Sequence, residues 1–168
     1  MRKALLVIDI QNDYFEKGKF PLWNTEEVLA NIENAIDKAN ADNIPVILVQ
    51  HISKSSSSFF CKGTEGVQIH PRILNVAPSA KIVNKSHADS YYKTELEEVL
   101  TRLEVEELLV CGMMTQNCVT HTAISKAAEK YTVKVLSDCC TTVNEPIHLF
   151  ALDAMSIRVP LISYIEAL

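Results

Sequence analysis

The sequence predicts an α/β protein, a three-layer α/β/α sandwich around a mostly parallel central sheet, Rossmann-like in its layering. Two observations carry that reading. Short apolar, β-prone runs alternate with stretches of helical period along the whole chain, which is the pattern of strand, crossover helix and parallel strand. Reactive residues also stand just beyond several of the runs, at Asp9, Lys85 and Cys118. In doubly wound sheets, ligands bind beyond the carboxyl ends of the strands.

Ala4 to Ile8 is a continuous apolar run, as expected of a central strand covered on both faces, and it delivers Asp9 to the strand's end. Gln11 to Phe15 then reads as a polar-aromatic loop, and Glu16 to Trp23, with Gly18 and Pro21, shows no period. From Asn24 or Thr25, the positions Val28, Leu29, Ile32, Ala35, Ile36 and Ala39 predict an amphipathic helix ending near Asn43. Pro45 opens a strand over Val46 to Val49, with Gln50 and His51 at its end. Residues 52 to 79, which hold the serines 55 to 58, two glycines and two prolines, predict a long binding loop or lid.

Lys81 to Val83 predicts a brief strand with Lys85 just past it. Thr94 and Glu97 have capping-box spacing ahead of a helix carrying Leu96, Val99, Leu100 and Leu103. Leu108 to Cys111 is a buried-strand run, followed by Val119, Ala123, Ile124 and Ala127 at helical spacing. A further strand is expected over Val133 to Leu136, ending at Ser137-Asp138, then a helix from Pro146 through Met155 and a last strand over Leu161 to Tyr164.

At 168 residues, the chain is expected to form a single domain, residues 1–168, with a core that needs neither disulfides nor metal. No apolar run is long enough to cross a bilayer, and the run after Arg2-Lys3 is too short for a signal peptide, so the expected location is cytoplasmic. A net charge of −5 and a pI near 5.5 exclude a nucleic-acid partner, which needs a basic face. Five cysteines without metal-type spacing fit reduced thiols. With four glycines there is no G-x-G-x-x-G for a dinucleotide.

Cys118 stands where a strand turns into a helix. Unpaired N–H groups and the positive end of the helix dipole favour thiolate there. Parallel strands would bring Asp9, Lys85 and Cys118 to one edge, so that a carboxylate, an ammonium and a thiol share a site.

The runs D-I-Q-N-D-Y from Asp9 to Tyr14 and G-M-M-T-Q-N-C-V from Gly112 to Val119, with Lys85 between them, make the chain resemble the isochorismatase-like cysteine hydrolases. That family includes nicotinamidases and carbamoyl-sarcosine amidohydrolases. The resemblance implies that Asp9 takes the cysteine proton, Lys85 holds the pair electrostatically and Cys118 attacks a carbonyl carbon. It further implies an oxyanion hole from the backbone N–H groups of Met114 and Cys118, with a cis peptide between Met113 and Met114, and assembly into homo-oligomers. Tyr14 matches a pocket-lining aromatic position; Asn12, Tyr91, Gln116 and Asn117 are further candidates to border the substrate. Asp13 reads as a turn-stabilising acceptor and Asp138 as structural.

Nicotinamidases carry D-x-H at the end of the second strand and a further histidine downstream, for a metal. This chain has Gln50-His51 there, so neither a metal on His51, His70 and His87 nor any other cofactor is expected. The reading is a metal-independent hydrolase of a small amide, ureide or carbamoyl compound. A thiol redox protein, prompted by Cys139-Cys140, and a catalytically silent binding or assembly module on the same fold are the alternatives. The vicinal pair lacks the C-x-x-C spacing of a resolving partner.

Overall fold

A computed structural model describes residues 1–54 and 56–168. Six strands, β1 (Lys3–Ile8), β2 (Val46–His51), β3 (Lys81–Lys85), β4 (Glu107–Met113), β5 (Thr132–Thr141) and β6 (Leu161–Ile162), form one sheet in the order β3-β2-β1-β4-β5-β6. Every adjacent pair is parallel. The central strands β1 and β4 are apolar almost throughout because helices cover both of their faces.

The helices are α1 (Thr25–Ala41), α2 (Pro71–Val76), α3 (Leu96–Arg102), α4 (Thr120–Ala123), α5 (Glu145–Ser156) and α6 (Tyr164–Ala167). α1 buries the six apolar positions that its period picks out. Arg72 of α2 pairs with Glu26 and Glu33 of α1 on the same face. Right-handed crossovers place α3, α4 and α5 on the opposite face. Among the described residues, no helix is long and apolar enough to cross a membrane.

The chain winds outward from β1 to β3, returns, and winds the other way from β4 to β6. The reversal falls between β1 and β4, and a doubly wound sheet opens its ligand crevice at such a switch point. Their carboxyl ends carry Asp9 and the segment leading to Cys118.

Several expectations shift. β2 runs on to His51 and β3 to Lys85, so these residues end strands rather than follow them. Within 52–79 stands α2, with Pro71 in its first turn and the His70 ring accepting from the Arg72 N–H. Thr94 does not build a capping box: its hydroxyl accepts from Leu96 N–H one residue before the cap position, and Glu97 turns instead to Lys130. β5 continues through Cys139-Cys140 to Thr141, across a register shift against β4. Tyr164 opens α6 under a Ser163–Glu166 capping box instead of ending β6.

Candidate active site

β1 ends in a sharp change of direction. Asp9 has a left-handed φ of 56°, and its N–H still bonds to Val49 O of β2 at 3.0 Å. β4 ends at Met113, the Met113–Met114 peptide is cis, and Thr115–Val119 forms a π-helical turn before α4. Helical turns of this kind are often found at functional sites. Two contacts brace the turn: Thr115 Oγ1 meets His148 Nδ1 of α5 at 2.8 Å, and Thr120 Oγ1 donates to Thr115 O at 2.6 Å. The sulfur of Cys118 thereby faces the end of β1.

Lys85, from the end of β3, completes the group. Its Nζ lies 2.9 Å from Asp9 Oδ2 and 3.2 Å from Cys118 Sγ, and all three residues are buried. It also lies 3.0 Å from His51 Nδ1 and 3.1 Å from His87 O. Asp9 and Lys85 thus form a buried ion pair, with the Cys118 thiol against both.

The ionisation state differs from the expected one. Burial and then the Asp9 carboxylate push the Cys118 thiol up to about 12, and Lys85, which acts in the opposite sense, is outweighed. Cys118 is thus a thiol at rest, because a thiolate would put a second buried anion beside Asp9. Burial works against the charge on Lys85, but Asp9 and then Cys118 more than offset it, so the ammonium is held more firmly than in a free lysine. Burial and then the Lys85 charge lower His51, so its imidazole is neutral at neutral pH.

The border residues separate into two groups. Tyr14 belongs to the site: burial first, then Asp9 and Cys118, hold its hydroxyl protonated. Its ring meets Phe60 edge-on at 4.5 Å, and Phe59 and Phe20 continue the aromatic wall at 5.7 and 6.3 Å. Met114 and Gln116 are adjacent, with Gln116 Nε2 3.8 Å from Met114 Sδ. Asn117 stands in the turn beside Cys118, its carbonyl bonded to His121.

Asn12 turns to Glu65 O at 3.0 Å and lines a separate groove of about 600 Å³ with His70 and Glu65. Tyr91 is buried, and burial first, then Tyr131, Asp89 and Glu97, hold its hydroxyl protonated.

Asp13 accepts from Lys19 N–H at 3.1 Å and from Phe60 N–H at 2.7 Å, joining two loops. Asp138 accepts from Tyr164 N–H at 3.0 Å, a structural contact.

His51, for which the sequence favours a solvated or hydrogen-bonded ring over a metal ligand, bonds through Nδ1 to the Lys85 ammonium and so stands in the site without having been among the candidate site residues. Its place at a strand end was a usable signal. Asp9, His51 and Cys118 offer ligand atoms within 4.8 Å of one another, but the Lys85 ammonium sits within 3.2 Å of all three and already supplies a cation there. His70 caps α2 and packs on Phe15, and the His87 ring packs on Tyr92, so the three histidines do not form one cluster among the described residues.

The five cysteines are unpaired. Burial raises the thiols of Cys111, Cys139 and Cys140, and a protonated buried thiol is a poor redox nucleophile.

The sequence pattern that defines the isochorismatase domain matches residues 3–165. An uncharacterised isochorismatase family protein of Bacillus subtilis, YddQ, is 39% identical over 143 residues, covering 84% of this chain and 79% of the relative. Nicotinamidase 3 of Arabidopsis thaliana is 29% identical over 157 residues, covering 86% and 76%. The crystal structure of an isochorismatase-like hydrolase from Alkaliphilus metalliredigens superposes with a TM-score of 0.91 at 24% identity, covering 99% and 97%, a likeness of fold. With the family pattern spanning nearly the whole chain and a relative at 39% identity, this protein belongs to the isochorismatase family.

Proposed function

We propose that the chain is a metal-independent cysteine hydrolase that cleaves the C–N bond of a small amide, ureide or carbamoyl compound through a thioester on Cys118. The observation that carries this reading is one buried ammonium, Lys85, within 3.2 Å of both a carboxylate and a thiol. The amide class is supported by the nicotinamidase among the relatives.

As sulfur attacks the carbonyl carbon, the thiol proton passes to Asp9, so the buried site never carries an added anion on both groups. The C=O electrons move to oxygen, where the backbone N–H groups of Met114 and Cys118 are the proposed donors. The carbonyl re-forms, the C–N bond breaks and Asp9 returns the proton to the departing nitrogen. Water then attacks the thioester while Asp9 takes one of its protons, and the sulfur leaves and is reprotonated. Lys85 holds positive charge beside both groups throughout. Tyr14 and the phenylalanines beyond it offer an apolar wall for the acyl part, and Gln116 and Asn117 offer polar contacts.

A panel of small amides, with ammonia release measured for wild type, Cys118→Ala and Lys85→Ala, tests the proposal. Turnover is expected in wild type only, with a covalent acyl adduct on the Cys118 peptide. Cys118→Ala turning over at the wild-type rate would overturn it. Peroxide-dependent turnover requiring Cys139 or Cys140 would favour the redox reading.

A further inference from the structure

A cysteine hydrolase needs its oxyanion donors as firmly placed as its sulfur, and in this fold the two are held by different contacts. Met114, whose N–H is one of the proposed donors, lies between two anchors. On one side Met113 ends β4, paired with Thr141 of β5. On the other, the fully buried Thr115 opens the π-helical turn with its hydroxyl 2.8 Å from His148 Nδ1. Among the described residues, two side-chain hydrogen bonds tie Thr115–Val119 to distant parts of the chain: this one and the 3.2 Å contact between Lys85 and Cys118. Lys85 holds the sulfur, and His148 holds the start of the turn.

We propose that His148 is a positioning residue of the oxyanion hole: by fixing the Thr115 hydroxyl, it keeps the Met114 N–H aimed at the point where the carbonyl oxygen gains charge. The imidazole is itself well seated. It stands in the first turn of α5, where the Asn144 cap accepts from Ile147 N–H at 3.0 Å through Oδ1 and from His148 N–H at 3.2 Å through its carbonyl. The ring is buried, its centroid 5.9 Å from that of Trp23, and Trp23 is fixed in turn by donating to Thr142 O at 2.8 Å and accepting from the Thr141 hydroxyl. Burial lowers the imidazole and Glu145 opposes it more weakly, so the ring is neutral at neutral pH. A neutral imidazole has one N–H and one bare nitrogen, and a hydroxyl both donates and accepts, so the bond to Thr115 forms with either tautomer.

The catalytic consequence rests on the cysteine-hydrolase reading, whereas amide exchange tests the anchoring without it. Three variants are compared with wild type: His148→Leu, Thr115→Val, which keeps the shape but not the hydroxyl, and His148→Asn, whose side-chain amide can stand in for Nδ1. In amide hydrolysis, His148→Leu and Thr115→Val are each expected to lower kcat about tenfold or more with KM within about twofold, because an oxyanion donor acts chiefly in the transition state. His148→Asn should stay within about threefold of wild type, and the His148→Leu, Thr115→Val double variant should lose no more than either alone, since both remove the same bond. Alkylation of Cys118 by iodoacetamide builds no oxyanion: sulfur attacks the methylene carbon, iodide leaves with the C–I electron pair and the thiol proton goes to Asp9. Its rate is expected to stay within about twofold of wild type in all three variants. The N–H groups of Asn117 and Val119 both bond to Met114 O, at 3.1 and 3.3 Å. Their hydrogen exchange is expected to quicken about tenfold in His148→Leu while that of β1 is unchanged.

Wild-type kcat in His148→Leu would overturn the proposal. So would a loss of turnover matched by an equal fall in labelling, which would locate the effect at the sulfur. A histidine that only stabilised the fold would quicken exchange throughout the sheet, leave kcat per folded molecule unchanged and show no rescue by asparagine. Should His148→Leu not fold, Thr115→Val carries the comparison. A wild type that hydrolyses no amide defeats the hydrolase reading; local quickening at Asn117 and Val119 would still support the anchoring, and unchanged exchange there would overturn it.

Discussion

Cys118 keeps its proton because the site around it is balanced without it: Asp9 and Lys85 already form a buried pair of opposite charges. Removing one member leaves the other uncompensated in a medium of low polarity, a loss of about 3–5 kcal/mol. Lys85→Met is therefore expected to lower unfolding stability by about that amount, and Asp9→Asn with Lys85→Met together by less; urea titration at neutral pH compares them. Equal losses in the single and double variants would show that charge balance is not what the pair provides. The meeting of Asp9, Lys85 and Cys118 was legible in the sequence because strand ends can be counted and parallel strands share an edge. The protonation state was not, since it depends on how deeply a sulfur is buried. His51 stood at the same edge, but a histidine in sequence gives no sign of whether its partner is a metal or an ammonium.

At the level of elements, the approach of β1 and β4 depends on Gly112. It has φ of +128° and pairs with Ile8, and a Cβ there would fall within contact distance of the Ile8 carbonyl oxygen and backbone nitrogen. A side chain would combine unfavourable backbone geometry with overpacking, so Gly112→Ala is expected to lose about 3 kcal/mol of stability and most of the activity. Thermal unfolding and the amide assay check both. Activity retained at the wild-type level would mean that the two strand ends need not be this close. α1 was legible because six apolar positions repeat at one period. α2 is too short to show a period, and Pro71 after His70 was its only mark. The far half of β5 was hidden by polar Ser137 and Asp138, which read as a strand end but lie within the strand.

Over the whole molecule, the buried thiols and imidazoles set the pH range of stability. Burial raises Cys111, Cys118, Cys139 and Cys140. In the unfolded chain these thiols ionise near 9, while the folded ones hold their protons to higher pH. Their contribution is therefore complete below about pH 9 and is lost as pH rises toward the folded values, each thiol removing about 1.4 kcal/mol per pH unit. His51 and His148 are lowered, chiefly by burial. Their contribution is present above about pH 6.5 and is lost as pH falls through the folded values. Thermal melts should accordingly peak between these limits and fall on both sides, and a melting temperature still rising above pH 9 would contradict this assignment. The parallel sheet itself was legible from the alternation of runs, whereas its strand order follows only from which way each crossover turns.

That order bears on how the chain is made. β1 leaves the ribosome before the other five strands but occupies the middle of the sheet, between β2 and β4. One of its edges has no partner until Glu107–Met113 has been synthesised. The nascent chain thus exposes an apolar strand edge while residues 9–106 are made, the interval in which unintended pairing between chains is easiest.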